Sequence, residues 1–159
     1  AGGLPTTRSR CISFAMAPVS PADCARYCTA QGVDKKDAEL YSELFDGHIG
    51  MVLAAARDEA RRAQVDKAMT LAKAAAAGDS YSAAVLLAAY EKDKAGAAAL
   101  LTDLRAVAAA GLRGVSRAPV QGETARRTLA AADAAIQRLN AQVNPKITLT
   151  VLASKFRTF

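Results

Sequence analysis

Tryptophan is absent from this 159-residue chain, only 5% of it is aromatic, and isoleucine occurs only at Ile12, Ile49, Ile136 and Ile147. That leaves little with which to build the pleated, half-buried surface of a sheet, so an all-β fold is excluded. Cysteine is sparse and odd in number. Cys24 and Cys28 stand at helical spacing with Cys11 as the third, which is no disulfide framework for a secreted domain and points to reduced, buried thiols. No stretch approaches the roughly 18 uncharged apolar residues of a bilayer span. Even the Ala-rich run from Met69 to Ala77 carries Lys73 and closes at Gly78-Asp79, so no membrane partner is expected. The N-terminus lacks an apolar run behind a basic start, which argues against a secretory precursor and for a cytoplasmic protein. The chain begins Ala1-Gly2-Gly3 without Met, and we expect it to be part of a longer protein.

What the chain has in abundance is alanine, at 39 positions. Alanine is the best helix former and a small one, so thin helical packing is predicted, in one domain or two small ones. Helix boundaries follow from caps and breakers. Ser20-Pro21-Ala22-Asp23 supplies an N-cap, a proline at the first helical position and an acid in the first turn, and the helix is predicted to run to Gly32. A second starts at Asp34, carries Leu40, Leu44 and Phe45 and stops at Gly47; a third starts near His48 with Ile49, Val52, Leu53 and Ala56 on one face. Longer helices follow. One passes Val65, Met69 and Leu71 to Gly78, the next is capped by Asp79 and carries Val85 and Leu86, and another carries Leu100, Leu104 and Val107 toward Gly111. Gly111, Gly114, Ser116, Pro119 and Gly122 mark a loop, after which Leu129, Ala132, Ile136, Leu139 and Val143 keep helical spacing. The last helix starts at Asn144-Pro145 and turns Leu149, Leu152, Phe156 and Phe159 inward.

Charge is uneven. Residues 1–63 balance to zero, whereas the excess of +6 lies wholly in 64–159. Arg105, Arg113, Arg117, Arg126 and Arg127 against Glu123 give a local +4, a cluster that reads as a solvated helix face with a mobile loop, or as a surface for phosphate or an acidic partner. No aromatic residues interleave for base stacking, which favours a protein partner over DNA. Chemistry-bearing motifs are few. There is no phosphate-cradling glycine loop and no Ser/His/Asp set, and the single histidine, His48, sits in a Gly-His-Ile-Gly turn that suggests a surface or capping role. Cys11, Cys24, Cys28 and His48 do not have zinc-finger spacing, so neither a metal nor another cofactor is expected.

The string Leu4-Pro5-Thr6-Thr7-Arg8-Ser9-Arg10-Cys11 resembles the Ser-Arg-Cys element, preceded by Leu-Pro-Thr, of the clamp-loader branch of the AAA+ proteins. Val143-Asn144-Pro145-Lys146, with Ile147 and Leu149, resembles the closing Asn-Pro helix of the delta-prime subunits of bacterial DNA polymerase III. The resemblance implies an all-α chain: an AAA+ core remnant over 1–16, a three-helix lid over 17–63 and a helical collar of about five helices, for oligomerisation, over 64–159. It also implies that Arg10 is an arginine finger acting in trans on the ATP site of a neighbouring subunit, with Ser9 and Cys11 as positioning residues. The other clamp-loader subunits are then partners through the collar, and primer-template DNA and the sliding clamp are reached only through the whole complex. ATP-hydrolysing members place a phosphate-sensing arginine where this chain has Gly50, which implies a subunit that does not hydrolyse ATP. Two alternatives are the ATP-hydrolysing gamma/tau type and a helical interaction module unrelated to replication.

Overall fold

Short polar side chains standing just before a first turn set the helix starts in this chain. In the computed structural model, which describes residues 18–159, eight α-helices and a closing 3₁₀ turn account for the regular structure, with no strand among the described residues. The described residues form an all-α fold. Ser20 Oγ accepts from Asp23 N–H at 3.1 Å and starts α1 (Pro21–Ala30). Asp34 accepts from Lys36 and Asp37 N–H and starts α2 (Lys35–Leu44), which is followed by α3 (Ile49–Arg57). A glycine closes α1: Gly32 takes φ +94° while Val33 N–H returns to the Cys28 carbonyl at 3.0 Å, so the helix ends two residues short of the glycine. Asp58 breaks the charged run between Arg57 and Arg62 by accepting from Ala60 N–H at 3.0 Å, and α4 (Glu59–Ala77) begins there. Asp79, Asp93 and Asn144 cap α5 (Ser80–Ala88), α6 (Lys94–Leu112) and α8 (Pro145–Lys155), and α7 (Gly122–Asn140) starts at a glycine.

The chain divides into two compact units between Arg62 and Ala63, a border that falls inside α4. In the first unit α1, α2 and α3 pack on one another around Cys24, Cys28, Ala38, Tyr41, Leu44 and Val52. Tyr41 stacks on Phe45 with ring centroids 6.3 Å apart, and the Arg61 guanidinium lies 5.8 Å from the Phe45 ring.

In the second unit the central contact is α6 along α7, and α8 packs on both α5 and α7. The predicted stripe on α7 is rotated in the structure. Ala132 and Leu139 are buried as expected, but Leu129, Ile136 and, just past the helix end, Val143 are half-buried, and Ala125, Thr128, Ala131 and Ala135 are buried as well. Small side chains win the inner face because they let two helix backbones come close, and bulkier aliphatics fill the flanks. The same substitution occurs on α5, where Val85 is 58% exposed and Leu87, with Ala83, turns inward in place of Val85 and Leu86. Leu149, Leu152 and Phe156 are buried on α8 and its closing turn, and Phe159 is half-buried with its ring 5.4 Å from Phe156. By length and composition α6 is apolar enough to cross a membrane, with mean hydropathy 1.4, which corrects the expectation that no such segment exists. Alanine raises the hydropathy there, while Leu100, Leu101 and Leu104 point into the core of the unit and Asp103 accepts from Gln64 Nε2 at 2.7 Å.

Gly111 marks where the α6–α7 connection folds back. A Cβ built there would overlap the Val120 carbonyl oxygen and press on Ala125 Cβ at 3.2 Å. Gly111→Ala is therefore expected to lower the stability of the second unit by about 1–3 kcal/mol, the usual range for overpacking. Thermal unfolding followed by circular dichroism checks it, and an unchanged melting temperature refutes the close approach.

Candidate functional site

Ser9, Arg10 and Cys11 lie outside the described residues. What the structure does describe is the part of the first unit that the chain meets immediately afterwards. Pro18, Val19 and Ser20 lead into α1. Val19 N–H donates to the Gly47 carbonyl at 3.1 Å, and Gly47 N–H donates to the Ser42 carbonyl at 3.0 Å. The α2–α3 turn contains Asp46 at φ +52° and Gly47 at φ +80°. His48 stands just before α3 but gives that helix no side-chain cap; its Nδ1 instead lies 2.8 Å from the Phe45 carbonyl oxygen at the end of α2. Gly50 sits in the first turn of α3, one residue after its start, where it presents no side chain to any ligand.

Cys24 and Cys28 are fully buried and free on the inner face of α1. Burial first, and then the charge and hydrogen bonding of the neighbouring Cys24, push the Cys28 thiol up to about 11 against the opposing influence of Arg57. Such a thiol is inert. Among the described residues no three His, Cys, Asp or Glu side chains converge on a point that would hold a metal ion. A groove of about 770 Å³ between α1 and α2 has Ala22, Ala25 and Thr29 along it and Lys35, Glu39 and Glu43 at its margin, a surface for packing more than for chemistry.

The basic cluster proves to be largely cross-braced. Arg105 on α6 reaches Asp133 on α7 at 2.9 Å, a partner 28 residues away that sequence proximity does not reveal. Arg126 Nε and Arg127 Nε donate to Glu123 at 2.9 and 3.2 Å, and Arg127 Nη1 also donates to the Thr158 carbonyl at 3.0 Å. The connection between α6 and α7, expected to be a mobile loop, is tied down by buried Ala118 and Val120 and by Gln121 Nε2, which donates to the carbonyls of Val115 and Ala118. Sequence reading missed Asp133, the Thr158 carbonyl, Gln64 and the Gly47 contact. Only the last had a local signal, a glycine beside an aspartate at a helix end.

Comparison with protein-family models, with curated proteins and with solved structures finds no match.

Two outcomes follow from the electrostatics. Hydrogen bonds from Arg126 and then Arg127 pull the Glu123 carboxyl from 4.5 to about 2. Because the folded value is the lower one, the stabilisation from this clamp is present above about 4.5 and is lost as pH falls toward 2. An NMR titration of the Glu123 carboxyl should show that low midpoint, and an ordinary midpoint would contradict the clamp. Cys24 and Cys28 should resist alkylation at pH 8 in the folded protein and react on addition of denaturant, with peptide mass spectrometry as the readout. Rapid labelling of either thiol in the native state is the contrary result.

Proposed function

We propose that this chain is the C-terminal part of a non-hydrolysing clamp-loader subunit of the delta-prime type, acting in cytoplasmic DNA replication. The Ser9-Arg10-Cys11 element, preceded by Leu4-Pro5-Thr6, carries the proposal, because it stands directly before a unit of three short helices and then a unit of longer ones. The first unit is the lid and the second is the collar. Arg10 reaches into the nucleotide site of a neighbouring subunit. Phosphoryl transfer spreads negative charge over oxygens, and a planar, permanently charged guanidinium offers a fork of donors to meet it. Ser9 and Cys11 position that arginine. Gly50 supports the non-hydrolysing assignment, since a glycine cannot sense a phosphate in cis.

Assembly is the work of the collar, which holds neighbouring subunits so that their nucleotide sites align. Tyr81, Val85 and Ile147, exposed on α5 and α8 at 78%, 58% and 59%, suit an interface of that kind. Primer-template DNA and the sliding clamp are engaged through the complete complex, and this part of the chain needs no cofactor of its own. Arg10→Ala in the full-length subunit is expected to leave loader assembly intact. Single-turnover hydrolysis at the neighbouring ATP site should slow by roughly 10³- to 10⁵-fold, because only a transition-state contact is lost. Arg8→Ala should do less. Unchanged hydrolysis by the Arg10 variant overturns the finger assignment.

A further inference from the structure

Helix α5 has no charged face. Between Ser80 and Ala89 no residue is charged, and while Ala83 and Leu87 turn into the core of the second unit, Tyr81, Ala84, Val85 and Ala88 form a further stripe at i, i+3, i+4 and i+7 that is exposed. A helix that is apolar all round is normally covered on both sides. Helix α8 packs beside it and runs antiparallel: Gly78, just ahead of α5, lies against the Phe156 carbonyl just past α8, whereas Ala88 at the other end of α5 lies near Leu149 and Thr150. Between the two helices the seam opens into a cleft of about 80 Å³, with buried Leu87 and Leu149 beneath and exposed Ala84, Ala88 and Thr150 at its mouth. Ile147, 59% exposed, stands one turn before Thr150 on the α8 bank.

We propose that the α5–α8 seam is a docking groove for one amphipathic helix of a partner protein, with a leucine-sized anchor for the cleft and an acidic flank toward α8, an inference that rests on the reading of this face as an interface and not on the arginine finger. Size and charge select this occupant. The two helices have nine and eleven residues, about 14 and 17 Å of helix, so the seam offers on the order of 300 Å². A stable dimer takes roughly 800 Å² from each partner, far more than a second copy seated here would cover. A single helix laid in a groove is the mode that fits. Lys146 and Arg157, both exposed, stand four residues before and seven after Thr150, on its side of α8. Unlike Arg105, Arg126 and Arg127, they form no ion pair among the described residues. Glu91 and Lys92 close the far end of the seam. Two copies would bring like-charged banks together, whereas an acidic flank on the incoming helix complements them. The hollow between the helices also suits a protruding side chain better than a flat bilayer.

The test uses the full 159-residue chain and two synthetic helical peptides, each with leucines at i, i+3 and i+7 and one flank of either glutamates or lysines. In a titration followed by ¹⁵N NMR, the glutamate peptide should shift the amides of Ala84, Ala88 and Thr150 and bind roughly tenfold more tightly than the lysine peptide. Lys146→Glu combined with Arg157→Glu should reverse that order, and Val85→Glu, also at an exposed position, should abolish binding of both peptides while the rest of the spectrum stays unchanged. Equal affinities, shifts centred elsewhere, or no change at roughly 1 mM glutamate peptide overturn the groove. Sedimentation showing that the chain dimerises, with Val85→Glu restoring the monomer, overturns it in favour of a second copy. Co-sedimentation with phosphatidylglycerol vesicles that Val85→Glu abolishes overturns it in favour of a membrane surface. An inert Arg10→Ala leaves the groove standing, and failure of the peptides leaves the finger standing.

Discussion

Close approach of α6 and α7 is the constraint on which the second unit depends. Two helices can come near each other only where side chains are small, and both carry buried small residues, Ala97, Ala108 and Gly111 on one and Ala125, Ala132 and Ala135 on the other. Leu100, Leu101, Leu104 and Leu139 then fill the space that remains. An alanine face removes less apolar area from water than a leucine face, so much of its benefit comes from dense dispersion contact, which falls off steeply with any gap. The rest of the unit inherits this geometry. The connection folds back where the Val120 carbonyl lies over Gly111, and α8 packs on both α5 and α7, burying Leu149 and Leu152, with Phe156 buried on the closing turn. The Arg105–Asp133 pair braces the same two helices from the side, but an exposed pair of this kind contributes only about 0–1 kcal/mol.

Features decided within four residues of chain were legible in the sequence. The caps at Ser20, Asp34, Asp79 and Asn144 and the break at Gly32 are local matters of hydrogen bonding and φ, and each stands where its chemistry indicated. The inward face of α7 was legible only in part. Leu129, Ile136 and Val143 look like core because they are large and apolar, yet the side turned inward is decided by how near α6 lies, which no local pattern records. Val85 misled for the same reason. Pairings such as Arg105 with Asp133 and Gln64 with Asp103 join residues 28 and 39 apart, and charge counting along the chain cannot find them. Of the candidate site, Ser9, Arg10 and Cys11 were legible through resemblance alone. The turn at Asp46-Gly47 had a local signal, but its partner Val19 was not legible, because that depends on where two chain segments meet.

The electrostatics also change meaning in three dimensions. Five arginines between positions 105 and 127 read as a basic patch, but three of them are engaged by Glu123 and Asp133, and Arg127 reaches on to the Thr158 carbonyl. Glu123 lies in the first turn of α7, where the helix dipole favours a negative charge, so one carboxylate serves both the helix and the two guanidinium groups. Much of the positive charge in this region thus has a structural role within the unit.

The alanine face carries a consequence for order as well as for distance. Alanine has no side-chain rotamers, so bringing α6 and α7 together freezes none at those positions, whereas ordering longer side chains costs up to about 1.5–2 kcal/mol each. Where the contact is alanine on alanine there is little slack. The leucines of the seam can accommodate a neighbour's change by turning a χ angle, but at the alanine positions the backbone itself has to move.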